Sequence, residues 1–118
     1  MLWIRIAALF GFLGVALGAF AAHGLKAKIA EPLLQTFQTG VLYHLLHALA
    51  LLALSLYARA TGTVITLPAV LFSAGIVLFS GSLYALALSG VHKLGAITPL
   101  GGLAFLAGWL SLLFLSKN

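Results

Sequence analysis

Residues 40–58, Gly40-Val41-Leu42-Tyr43-His44-Leu45-Leu46-His47-Ala48-Leu49-Ala50-Leu51-Leu52-Ala53-Leu54-Ser55-Leu56-Tyr57-Ala58, decide the fold. The run carries no acidic or basic charge beyond its two histidines. At about 1.5 Å per residue it reaches across a hydrocarbon core of about 30 Å. In lipid the backbone has to satisfy its own hydrogen bonds, so such a run reads as a transmembrane α-helix. Tyr57 and Arg59 close it with an aromatic and a cation, at the depth where both anchor helices.

Three more runs of the same kind surround it. Leu2 to Ala22 is broken only by Arg5. It looks in part like a signal peptide, with Arg5 in the basic region and Ala19-Phe20-Ala21 at the cleavage position. Ala7, Gly11, Gly14, Gly18 and Ala21 instead form a small-residue stripe on one helical face, which helix packing needs and a secretory leader does not. The third run extends from Leu67 to Ser89, with Thr66 placed to cap it, Pro68 in its first turn and Gly90 as its stop. The fourth opens near Val91-His92-Lys93 and ends at Leu115. Within it Thr98-Pro99-Leu100-Gly101-Gly102 predicts a proline kink in one long helix, in preference to a short helix starting at Pro99. Gly101, Ala104, Gly108 and Ser111 make a second small-residue stripe.

Helices at about 2–22, 40–58, 67–89 and 94–115 thus predict an all-α, integral membrane four-helix bundle, a single domain over 1–118. Between the first two lies Lys26, Lys28, Glu31 and Pro32, followed by Leu33, Leu34 and Phe37. That spacing predicts a short amphipathic segment at the interface, about 32–38, feeding the second span.

Composition agrees. Of 118 residues 64% are hydrophobic and 6% charged, against about 25% charged in a soluble domain. The net charge of +5 comes from scattered cations that form no basic stripe, so no nucleic-acid partner is expected. Arg5, Arg59 and Lys117 on the side of the termini balance Lys26, Lys28 and Lys93 on the other, and the positive-inside rule returns no orientation. There is no cysteine, which removes thiolate metal sites and cysteine nucleophiles. Glu31 is the one acidic residue, so paired-carboxylate acid–base chemistry and carboxylate metal cages are excluded.

The residues left to carry chemistry form a candidate polar cluster: His23, His44, His47, Ser82 and Tyr84. Counted along the helices, the histidines fall toward the side of the first and third loops. His44 and His47 are three residues apart and share a helix face. They read either as a metal or haem site or as hydrogen-bonding groups between helices. Without a carboxylate or thiol the second reading is preferred, and the presence of a metal is left open. Ser80 and Ser82 in Phe79-Ser80-Gly81-Ser82-Leu83-Tyr84 suggest a serine nucleophile less well than close packing. No catalytic residue and no cofactor is assigned. Gly11, Gly14, Gly18, Gly101 and Gly108 are the packing residues.

Four motifs in order, Gly18-Ala19-Phe20-Ala21-Ala22-His23-Gly24-Leu25, Tyr43 to Leu52 with His47, Leu78-Phe79-Ser80-Gly81-Ser82-Leu83-Tyr84 and Thr98-Pro99-Leu100-Gly101-Gly102, make the chain resemble domain-of-unknown-function family 423. Its members are small bacterial inner-membrane proteins with eukaryotic transmembrane relatives. The likeness runs from the first helix to Trp109, and Ala21 stands where the pattern has glycine. It implies four helices and a bacterial inner membrane, and it brings no catalytic residues. The expectation is a non-enzymatic accessory or structural component. A small channel or transporter is the alternative, and a histidine-ligated cofactor protein comes third. The partners expected are the lipid bilayer and either further copies of the chain or a larger membrane complex.

Overall fold

The computed structural model describes residues 1–116; Lys117, one of the cations weighed for orientation, lies outside them. Four helices are long and apolar enough to cross a membrane: α1 (Leu2–Leu25), α2 (Glu31–Thr61), α3 (Thr66–Ser89) and α4 (His92–Phe114). α2 and α3 form the central pair. Their most apolar stretches are buried more than twice as extensively as those of α1 and α4. α1 packs on α2 and α4 on α3, giving a flattened bundle of 49 × 26 × 17 Å. The termini lie at one end: Ser116 O accepts from Val64 N–H at 3.1 Å in the α2–α3 loop, and Arg59 donates to Met1 Sδ.

The chain makes its turns where glycine permits them. Gly62 (φ 75°) ends α2 and Gly90 (φ 71°) ends α3, both in the left-handed region that costs a side chain about 1–2 kcal/mol. Thr66 does begin α3, but its hydroxyl caps nothing; Ile65 occupies the cap position, and Ala69 N–H bonds back to Ile65 O at 2.9 Å.

Two expectations are corrected. The second helix starts earlier than expected: residues 32–38 belong to it, because α2 runs unbroken from Glu31. Pro32 sits in the first turn, where its missing N–H has no partner to lose, and nothing between it and Gly40 interrupts the ladder. At 31 residues the helix is about 46 Å long and outruns the hydrocarbon, so its first turns project beyond it. Nor does Pro99 kink a long α-helix. α4 opens with a 3-10 stretch, His92–Ala96, and turns α-helical only at Thr98. Pro99 has no N–H to bond a carbonyl in the preceding turn, so the α ladder starts there. The chain before it closes in tighter bonds, Leu94 N–H to Val91 O at 3.2 Å and Ile97 N–H to Leu94 O at 3.1 Å.

Between helices in lipid, apolar surface has little to gain from leaving water, so fit and hydrogen bonding decide the packing. One buried cluster, including Leu51, Leu54, Ala69, Phe72, Ile76 and Phe105, fills the half nearer the termini. Another, Ala21, Leu25, Leu34, Phe37, Val41 and Ala87, fills the other half. α3 passes between the halves through a π-helical turn, Ile76–Ser80. The extra residue in such a turn rotates the helix beyond it, and Ser80 and Tyr84 then meet α2.

The packing glycines differ in use. A Cβ on Gly101 would fall on the Phe79 backbone, and one on Gly108 would lie 2.7 Å from the Phe72 ring. At Gly14 it would lie 2.6 Å from the tip of Leu45, and at Gly18 3.2 Å from Val41. At Gly11 it would meet nothing within 4 Å. The stripe on α1 therefore makes close contact at Gly14 and Gly18 and leaves open space at Gly11, with Ala7 buried again beyond it.

Candidate functional site

His44 and His47 are both buried, 4% and 2% exposed, in the middle of α2. His44 Nε2 lies 2.8 Å from the Phe10 carbonyl oxygen and so carries a proton and donates. Its Nδ1 then accepts from the Tyr84 hydroxyl at 2.9 Å. One imidazole thus ties α2 to α1 and to α3. Two glycines give it room. Gly14 follows Phe10 by one turn, and a side chain there would crowd the imidazole edge, with His44 Cδ2 3.2 Å from its Cβ. Gly40 lies under Tyr84, whose ring would be 2.8 Å from a Cβ. The fully buried Ser80 adds a second tie, donating to Gly40 O at 2.7 Å.

His47 is bonded in the opposite sense. Its Nδ1–H donates to Tyr43 O of its own helix at 2.8 Å, and Nε2 accepts from the Trp109 indole N–H of α4 at 2.9 Å. The ring lies flat on Phe105, with centroids 3.6 Å apart and planes at 8°. Phe105 reaches it through a notch in α3 at Gly75, where any Cβ would strike the Phe105 ring, and Phe72 fits the matching notch at Gly108.

The predicted cluster is therefore not one cluster. His44 and Tyr84 meet. His47 turns to Trp109, and Ser82 bonds Phe79 O at 2.9 Å and the Thr98 hydroxyl at 2.6 Å, clasping α3 to the start of α4. His23 stands exposed at the end of α1, and His92 is exposed at the start of α4. Among the described residues no three histidine or carboxylate side chains gather as a metal site. All four ring nitrogens of His44 and His47 are taken by protein groups. The histidines also lie deeper than expected: His44 bonds Phe10, nearer the Leu2 end of α1, and His47 bonds Trp109, nearer the Phe114 end of α4. α1 runs antiparallel to α2 and α4 parallel to it, so the Leu2 end of α1 and the Phe114 end of α4 lie at the same end of the bundle, and the two contacts agree on the depth.

Trp109, Phe105, Thr98 and the Phe10 carbonyl were not identified as partners in the sequence. Phe105 and Trp109, four apart on α4, were legible as an aromatic face. A backbone carbonyl has no sequence signature, although glycine one turn later, as at Gly14, is the feature that uncovers it.

Residues 17–102 match the model of the family described as "Protein of unknown function (DUF423)". The UPF0382 membrane protein YwdK of Bacillus subtilis is 49% identical over 92% of this chain and 89% of its own length. A UPF0382 membrane protein of Haemophilus influenzae is 44% identical over 95% and 90%. The UPF0382 inner membrane protein YgdD of Escherichia coli is 44% identical over 87% and 79%. No solved structure matches the chain. With its four spanning helices and these relatives, the chain is a multi-pass protein of the bacterial inner (plasma) membrane and belongs to the DUF423 family, whose function is unknown.

Proposed function

We propose that the protein is a non-enzymatic structural or accessory component of a membrane assembly, working through the outer faces of its helices, with its polar interior serving as a lock. One observation carries this reading: among the described residues every buried side-chain nitrogen and oxygen already has a hydrogen-bond partner within the chain. A proton-coupled carrier needs an intramembrane group that exchanges partners as it titrates and binds substrate. His44 and His47 are each held from both ring nitrogens. An unpartnered imidazole in hydrocarbon would lose hydrogen bonds at a cost of several kcal/mol, so holding them closed is stabilising in itself.

Gentle purification from the native membrane after cross-linking tests the proposal. A discrete partner, or further copies of this chain, at fixed stoichiometry is the expected result. Solute or ion flux in proteoliposomes that is abolished by His44→Gln, a change that retains a donor and an acceptor, would overturn it.

A further inference from the structure

At the end of the bundle that carries the termini, a cavity of about 480 Å³ is bordered by Trp3, Ser55, Arg59, Thr63 and Thr66. Arg59 lies in the last turn of α2, and the sole acidic residue of the sequence, Glu31, lies in the first turn of the same helix, at the far end of the bundle. Among the described residues the Arg59 guanidinium has only the Met1 thioether sulfur as an acceptor. Sulfur of that kind accepts weakly, whereas guanidinium is built to bind phosphate with parallel N–H bonds. Thr63 and Thr66 border the same space, the Thr63 hydroxyl bonded to that of Thr61 at 2.7 Å.

Trp3 also borders a second space. Because α1 packs on α2 and stands off from α3, an open groove of about 630 Å³ runs between α1 and α3, walled by Ile6, Phe10, Val70, Ala74 and Leu78. It holds no charge and runs from Trp3, near the end of the bundle that carries Met1, to Phe10 and Leu78 at mid-helix. A cavity edged by Arg59 at the helix ends, sharing its Trp3 border with an uncharged groove, has the polarity profile of a single phospholipid.

We infer that the two spaces together hold one anionic phospholipid, its phosphate on Arg59 and one acyl chain laid past Trp3 along the α1–α3 groove. A zwitterionic headgroup fits less well, since its ammonium finds no carboxylate among the described residues of the cavity.

The test uses the full chain in detergent, with lipid retention read by native mass spectrometry and stability by thermal melting. The probes are phosphatidylglycerol, phosphatidylcholine of the same chains, and glycerol 3-phosphate as the soluble headgroup. Phosphatidylglycerol is expected to be retained and to raise the melting temperature more than phosphatidylcholine, and glycerol 3-phosphate alone to do neither. Arg59→Gln should cut the preference for phosphatidylglycerol about fivefold, the worth of one cation near an anionic surface. Arg59→Lys should keep most of it. Ala74→Phe, which fills the groove, should weaken both lipids and leave their ratio unchanged. Equal retention of the two lipids by the unmodified protein would overturn the inference without recourse to any variant. So would an undiminished preference in Arg59→Gln, an equal shift from glycerol 3-phosphate, or indifference of both lipids to Ala74→Phe.

Discussion

α1 and α4 flank the same central pair, yet they are fastened to it by different physics. α1 combines a polar tie at mid-membrane, the His44 imidazole on its Phe10 carbonyl, with close approach to α2 at Gly14 and Gly18, while Gly11 meets nothing and a groove opens toward α3. α4 is held by shape. Gly101 brings its backbone onto that of Phe79, Phe105 fills the notch at Gly75, and Phe72 fills the notch at Gly108. The hydrogen bond from Trp109 to His47 comes on top of that interlock. Where apolar surface supplies little association between helices, a directional bond and a close steric fit are the two means left, and this bundle weights them differently on its two outer helices.

The largest expected effect breaks the steric side. Gly101→Leu places atoms where the Phe79 backbone runs, and a backbone cannot step aside as a side-chain tip can. Overpacking of this kind should cost about 3 kcal/mol or more and release α4. Melting in detergent, with hydrogen exchange rising in α4 before α1, would show it.

Breaking the polar side should cost less. His44→Leu leaves the Tyr84 hydroxyl without its acceptor inside the bundle and removes the bond to Phe10, an expected loss of about 1–2 kcal/mol with exchange rising first in α1. His44→Gln retains a donor and an acceptor and should keep most of the stability. His47→Leu strands only the indole N–H of Trp109, a side chain 46% exposed and free to reorient, so about 0.5–1 kcal/mol is expected. If both leucine variants loosened the same helix, the contrast between the two attachments would fail.

Gly11→Ala sharpens the comparison from the other direction. With no atom within 4 Å of the added carbon, stability should be unchanged or raised by up to about 1 kcal/mol through helix propensity. A marked loss would mean that another helix closes over that face.

The spans were legible because hydrocarbon thickness imposes a length that apolar runs reveal directly, and Gly90 was legible as a stop because left-handed backbone favours glycine. The small-residue stripes were readable as packing surfaces, but not what each glycine admits. Gly11 and Gly14 look alike in sequence; one faces open space and the other makes room for an imidazole. The candidate site was half legible for the same reason. Residues three apart on a helix differ by about 60° in direction. That is enough, on a central helix with neighbours on several sides, to send His44 to α1 and α3 and His47 to α4. The pairing with Phe10 depends on a backbone oxygen, which no side-chain pattern encodes.

The ¹⁵N chemical shifts of the two imidazoles, in the protein reconstituted in lipid, test most directly whether both histidines are closed hydrogen-bonded ties. The geometry predicts two neutral rings in opposite tautomers, His44 protonated on Nε2 and His47 on Nδ1, both unmoved by added zinc or copper. Matching tautomers, averaged signals from an exchanging ring, or a shift of either ring on adding metal would contradict it.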